Sequence, residues 1–156
     1  MTVASALGLP VPDFSLPATG GGTFNLAAQR GRPLVIYFYP KDNTPGCTTE
    51  ASQLRDLHSE FVHLGCPIFG ISRDSIKSHE GFKAKLGLPF ELLSDADETA
   101  CQLFGVIKMK KLYGKDVRGI ERSTFLIDAN GRLAREWRGV KVDGHADEIL
   151  KAVTEL

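Results

Sequence analysis

The order of periodicities along the chain predicts an α/β fold with a central mixed β-sheet flanked by helices. Three observations carry this. Two nearly continuous apolar, β-rich runs, Pro33–Tyr39 and Pro67–Ser72, read as strands buried on both faces. Each is followed by a stretch whose apolar residues return every three or four positions, the spacing of a helix. The last third instead holds two strands joined by Asn-Gly, a strong hairpin signal, and closes on an amphipathic helix. With 156 residues and no internal repeat, linker or low-complexity segment, the chain is expected to form one domain, 1-156, with its own core.

The opening stretch places Pro10, Pro12 and Pro17 around Phe14 and Leu16. Proline gives no N–H to a sheet ladder, so this segment reads as an edge strand at best. Thr19-Gly20-Gly21-Gly22-Thr23 reads as a hairpin turn into Phe24-Asn25-Leu26. Without a strand-then-helix context its glycines are no phosphate cradle. From Cys47 the period changes: Ala51, Leu54, Leu57 (or His58), Phe61 and Leu64 predict a helix of about four turns, with Gly65 as its C-cap. After the second strand, Asp74 or Ser75 opens a weaker helix toward Leu86, stopped by Gly87 and Pro89. Leu92-Leu93 is a short strand. Asp97 to Phe104 is a short helix with Ala100, Cys101 and Phe104 inward. Ser123–Asp128 and Arg132–Trp137 are the strands joined through Ala129-Asn130-Gly131. Asp143-Gly144-His145-Ala146 leads into the last helix, which carries Ala146, Ile149, Leu150 and Val153.

Composition excludes several functions. The 19 acidic and 19 basic residues balance, which gives no electrostatic case for nucleic acid or a membrane surface. No stretch approaches transmembrane length, and Met1–Gly8 lacks the basic and apolar regions of a signal peptide. Cys47, Cys66 and Cys101 form an odd, widely spaced set. That is a poor disulfide framework without zinc spacing, and it suits a reducing cytoplasm with one functional thiol.

Cys47 is the residue to which the chemistry points. It stands where an apolar strand gives way to a helix, three residues after Thr44. A helix start carries unpaired N–H groups and the positive end of the dipole, which favours thiolate, the reactive form of sulfur. Thr44 fits the N-cap, because Pro45 suits the first helical position and needs no N–H partner there. Its hydroxyl is then close to the N–H and sulfur of Cys47, able to accept one hydrogen bond and donate another. Pro40 supplies an apolar wall. The polar, turn-forming neighbours argue against a cysteine buried simply as core.

Pro40-x-x-x-Thr44-x-x-Cys47 matches the active-site signature of the peroxiredoxins, and the run Tyr39–Glu50 resembles their Q branch, also called bacterioferritin comigratory protein. The likeness continues through Gly70–Ser75, Leu92–Asp95 and Gly119–Asp128, in order along nearly the whole chain. The resemblance implies a thioredoxin-like fold, a monomer, and thiol-dependent reduction of hydrogen peroxide and organic hydroperoxides. Cys47 is similar to the peroxidatic cysteine. Thr44 and Arg122 resemble the residues that hold thiolate and peroxide, Pro40 the one that shields them, and Glu50 the acid that orients the arginine. The electron donor is then thioredoxin, glutaredoxin or glutathione.

The chemistry agrees. Arg122 offers a rigid, permanently charged fork of donors; the competing reading is a surface arginine paired with Glu121 or Asp128. A thiolate attacking one peroxide oxygen releases alkoxide or hydroxide, and preorganised donors stabilise that charge as it develops. The resulting sulfenic acid must be reduced by another thiol. No metal, flavin or haem is required. Many members of the branch carry a second, resolving cysteine five residues on, where this chain has Ser52, or on the next helix, around Lys83. Neither position is filled, so a one-cysteine cycle is the simplest reading. Cys66 and Cys101 are the only internal substitutes, and both read as buried core residues. His58, His63, His79 and His145 lack metal-like spacing or an obvious carboxylate partner and are expected mostly on solvent-facing helix positions. Lys108, Lys110, Lys111 and Lys115 read as a solvated loop, and Trp137 as a packing aromatic near the rim of the site.

Overall fold

The computed structural model describes residues 5–156. Its elements are β1 (Ser15–Pro17), β2 (Thr23–Asn25), β3 (Leu34–Phe38), α1 (Pro45–Asp56), α2 (His58–His63), β4 (Ile68–Ser72) and α3 (Ile76–Leu86). They continue with β5 (Glu91–Ser94), α4 (Thr99–Phe104), β6 (Ile107–Leu112), β7 (Lys115–Ile120), β8 (Ser123–Ile127), β9 (Leu133–Arg138) and α5 (His145–Thr154). Five strands form a mixed sheet in the order β5-β4-β3-β8-β9. β3, β4 and β5 run parallel, while β8 is antiparallel to both β3 and β9.

β3 is buried along its whole length because hydrophobes occupy both of its faces. Leu34, Ile36 and Phe38 belong to one core with Phe14, Phe24, Phe104 and Phe125. Val35 and Tyr37 belong to the other, with Leu54 of α1, Phe61 of α2, Phe82 of α3 and Ile149 of α5. Tyr37 crosses β4 at Gly70, where an added Cβ would lie 2.7 Å from the tyrosine Cζ and hydroxyl and 2.9 Å from Leu92 Cδ2. Gly70→Ala is therefore expected to lower stability by about 1–3 kcal/mol through overpacking, read as a lower denaturant midpoint at unchanged slope.

Two expectations are corrected. The helix expected from Cys47 to Leu64 is broken at Leu57, where the backbone takes φ −99° and ψ 1°. Apolar spacing carries no mark of the break, since Leu54, Leu57, Phe61 and Leu64 reach one core on either side of it. The basic stretch expected as a loop is instead an antiparallel ribbon, β6 paired with β7 from Ile107↔Ile120 to Leu112↔Lys115. Its lysines are exposed as expected, and the alternation Ile107-Lys108-Met109-Lys110 breaks at Lys111, too short to read as a strand. It is held at its base by buried Ile120, by Lys110 Nζ donating to the Ile120 carbonyl at 2.9 Å, and by an Arg118–Glu98 ion pair.

The proline-flanked N-terminal segment forms only the short pair β1–β2, closed by the glycine turn. Phe38 pairs with Ser123 across β3 and β8, so the turn after β3 and the residue before β8 meet at one end of the sheet. Among the described residues no helix is long and apolar enough to cross a membrane.

Candidate active site

The chain leaves β3 through Tyr39, turns over Pro40–Thr44 and enters α1 at Pro45, the expected first helical position. Thr44 is the N-cap by backbone, with φ −89° and ψ 153°, and its carbonyl accepts from the Thr48 N–H at 2.9 Å. Its side chain does not cap the helix. The hydroxyl instead donates to the Lys41 carbonyl at 2.8 Å and closes the turn on itself. Pro40 is half-buried between Tyr39 and that turn.

Cys47 is the third residue of α1, and its side chain turns inward, leaving the residue 1 % exposed. The exposure expected from its polar neighbours is thus corrected: Thr49 faces solvent, while the sulfur shares a core with Tyr37 and Leu54. Burial here is not inert packing. Arg122 Nη2 donates toward Cys47 Sγ at 3.4 Å, and Nη1 donates to Glu50 Oε1 at 2.7 Å. The arginine pairs neither with Glu121 nor with Asp128; it spans the sulfur and the carboxylate one helical turn apart. Gly46 makes room for it, since a Cβ there would lie 3.0 Å from Arg122 Nη2. Sequence reasoning passed over this glycine, although glycine inside a first helical turn is a signal of close approach.

Glu50 is almost wholly buried, and its Oε2 has no hydrogen-bond partner among the described residues. Burial pushes its carboxyl up from 4.5 to about 7, although the charge and hydrogen bond of Arg122 pull the other way. The folded state therefore holds this proton at pH values where the unfolded chain has released it. Stability contributed by the protonated group is full below about 4.5 and is lost as pH rises toward about 7. Glu50→Gln is expected to flatten that decline, measured as melting temperature across the same pH window.

The other two cysteines are distant in the fold. Cys66 precedes β4, level with the start of β3, whereas Cys47 follows its end, roughly 13 Å away by strand rise. Cys101 packs with Phe38 and Phe104 in the core on the opposite side of the sheet. Both separations exceed the roughly 7 Å between Cα atoms that a disulfide tolerates. Burial pushes the Cys66 thiol up to about 12, and burial together with Asp95 pushes Cys101 higher still. Ser52 lies on α1 and Lys83 on α3, where its Nζ is 2.6 Å from Glu91 Oε1.

The histidine expectation is corrected at two positions. His79 and His145 are buried, because each finds a polar partner far away in sequence. His145 Nε2 shares a 2.8 Å hydrogen bond with Thr124 Oγ1, and Trp137 packs edge-on against the ring. His79 Nδ1 lies 2.7 Å from Asp42 Oδ2. Asp42, Asp74 and His79 bring their ligand-type atoms within 4.8 Å of one another. These atoms are already engaged: Asp74 Oδ2 accepts from the Asp42 N–H at 2.9 Å and from the Ser72 hydroxyl at 2.5 Å.

A mixed sheet that sets a cysteine at a helix start beside a half-buried arginine defines a class, and comparison with known proteins gives it. The chain belongs to the AhpC/TSA family, whose model matches residues 7–136. Within that family it falls in the peroxiredoxin Q/Bcp branch, so the protein is a thiol peroxidase with a thioredoxin-like fold: a peroxide is reduced and a thiol supplies the electrons. It is 53 % identical over 151 residues to peroxiredoxin Bcp of Xanthomonas campestris pv. campestris, covering 96 % of this chain and 94 % of that one. Peroxiredoxin Bcp of Bacillus subtilis is 48 % identical over 150 residues, covering 96 % of each. A solved structure of the Xanthomonas campestris bacterioferritin comigratory protein superposes with a TM-score of 0.90 at 51 % identity, covering 97 % of this chain and 98 % of that one.

Proposed function

We propose that Cys47 is the peroxidatic residue and that it completes its cycle without a second cysteine of the chain. The observation that carries this reading is the Arg122 fork, 3.4 Å from Cys47 Sγ and 2.7 Å from Glu50 Oε1. Cys47 thiolate attacks the terminal oxygen of the hydroperoxide; the S–O bond forms as the O–O bond breaks. The released alkoxide or hydroxide takes a proton and leaves as alcohol or water. Arg122 stabilises the negative charge as it passes from sulfur to the leaving oxygen. Thr44 positions the peroxide, Pro40 limits water, and Glu50 fixes the plane of the guanidinium.

The sulfenic acid then condenses with an external thiol, releasing water and forming a mixed disulfide, and a second thiol frees Cys47. The remoteness of Cys66 and Cys101 supports an external donor: thioredoxin, glutaredoxin or glutathione. Hydrogen peroxide and organic hydroperoxides are the proposed substrates; the solved Xanthomonas campestris protein is described for alkyl peroxide reduction. We place this activity in antioxidant defence by a monomer of one domain in the cytoplasm.

Intact mass after one equivalent of peroxide tests the cycle. A gain of one oxygen is expected. Loss of two hydrogens would report an internal disulfide and end the one-cysteine reading.

A further inference from the structure

His79 lies in the first turn of α3 with its ring wholly buried and both nitrogens facing acceptors. Nε2 is 2.9 Å from the Leu93 carbonyl, which can only accept, so this nitrogen carries a hydrogen. Nδ1 faces Asp42 Oδ2 at 2.7 Å. That carboxylate also accepts from the Tyr39 hydroxyl at 2.7 Å and the Ser78 hydroxyl at 2.8 Å. Burial raises the Asp42 carboxyl, but the bonds from His79, Tyr39 and Ser78 outweigh it and hold the group below its usual range. Nδ1 and the Asp42 carboxyl are thus joined by a short hydrogen bond, and both ring nitrogens of His79 are engaged.

Asp42 belongs to the turn that delivers Cys47 to α1. Its neighbours Lys41 and Asn43 are exposed, and Asn43 is held in the left-handed region at φ 64°. A non-glycine residue there persists when its surroundings fix it. Asp42 supplies that fixture: its side chain is bound from α3, and its N–H donates to Asp74 at 2.9 Å. Removing one member of a buried hydrogen-bonded pair leaves the other unsatisfied, so the turn loosens when the pair is broken.

We propose that His79 is a positioning residue for peroxide reduction: as a buried ring bonded through both nitrogens it pins Asp42, and through Asp42 the turn that sets Cys47 beside Arg122. This rests on Cys47 being the attacking group. The pair thereby also governs how readily the buried sulfur is reached by reagents larger than a peroxide.

The test uses the reduced full chain with Cys66 and Cys101 replaced by serine, comparing His79→Gln, Asp42→Asn and the double variant. Two rates are read: peroxide consumption, and alkylation of Cys47 by iodoacetamide followed by mass. In each variant peroxide consumption is expected to fall by about ten- to a hundredfold while alkylation rises severalfold, with the double variant no worse than either single one. A peroxide rate within about twofold of the parent, or two rates that move together, overturns the proposal. If the buried substitutions fail to fold, Ser78→Ala decides: it removes one donor to Asp42 and is expected to shift the same two rates oppositely by about two- to fivefold, and no shift overturns the proposal. Failure of the Cys47 assignment is separate, because it would show as peroxide consumption by a chain lacking Cys47.

Discussion

Cys47→Ser is expected to reduce peroxide consumption by at least about a thousandfold, because a serine hydroxyl is not ionised near neutrality and is a poor nucleophile toward peroxide oxygen. The measurement is continuous peroxide loss under excess dithiothreitol. Cys66→Ser and Cys101→Ser are expected to keep most of the activity when measured on folded protein, since neither sulfur lies near the site. Their burial raises both thiols far above neutrality, which also makes them poor attackers of a sulfenic acid. Turnover that stalled at a stable sulfenate in Cys101→Ser would mean that the helix carrying it moves during the cycle.

The second large effect is expected at Arg122. Arg122→Ala removes the donor aimed at Cys47 Sγ and should lower kcat/KM for peroxide by about a hundred- to a thousandfold. It also strands Glu50 in the core. Breaking a buried pair on one side costs on the order of 3–5 kcal/mol, here moderated because Glu50 can take up a proton. Arg122→Lys keeps the charge but has no planar fork with which to meet sulfur and carboxylate together. An intermediate loss of about tenfold is expected for it. Steady-state peroxide kinetics and denaturant melting on the same preparations separate the two consequences. Equal kcat/KM in Arg122→Lys and the parent would show that geometry at this residue contributes little.

Much of the site was legible because its parts are local. Pro45 at the first helical position and the switch from a continuous apolar run to three- and four-residue spacing located the junction that carries Cys47. The partners were not local. Glu50 and Arg122 are separated by 72 positions, so only the family resemblance joined them. Asp42 and His79 are separated by 37, and neither spacing nor resemblance joined those. The inward turn of Cys47 escaped for a different reason: neighbouring residues on a helix point in different directions, so polar flanks do not report where the middle side chain goes. The β6–β7 ribbon escaped because its apolar alternation from Ile107 breaks at Lys111 and most of both strands faces solvent.

The rung-by-rung match of β3 to β8 acts as a gauge for the chemistry. Each added residue advances a strand by about 3.3 Å, comparable with the whole gap between guanidinium and sulfur. One residue inserted between Arg122 and Ser123 would leave the β3–β8 pairing intact yet carry the guanidinium out of reach. The same insertion at Asn130, beyond the far end of β8, would leave the guanidinium in place. Tolerance to changes in length is therefore lopsided: this enzyme can drift in size at one rim of its sheet and not at the other.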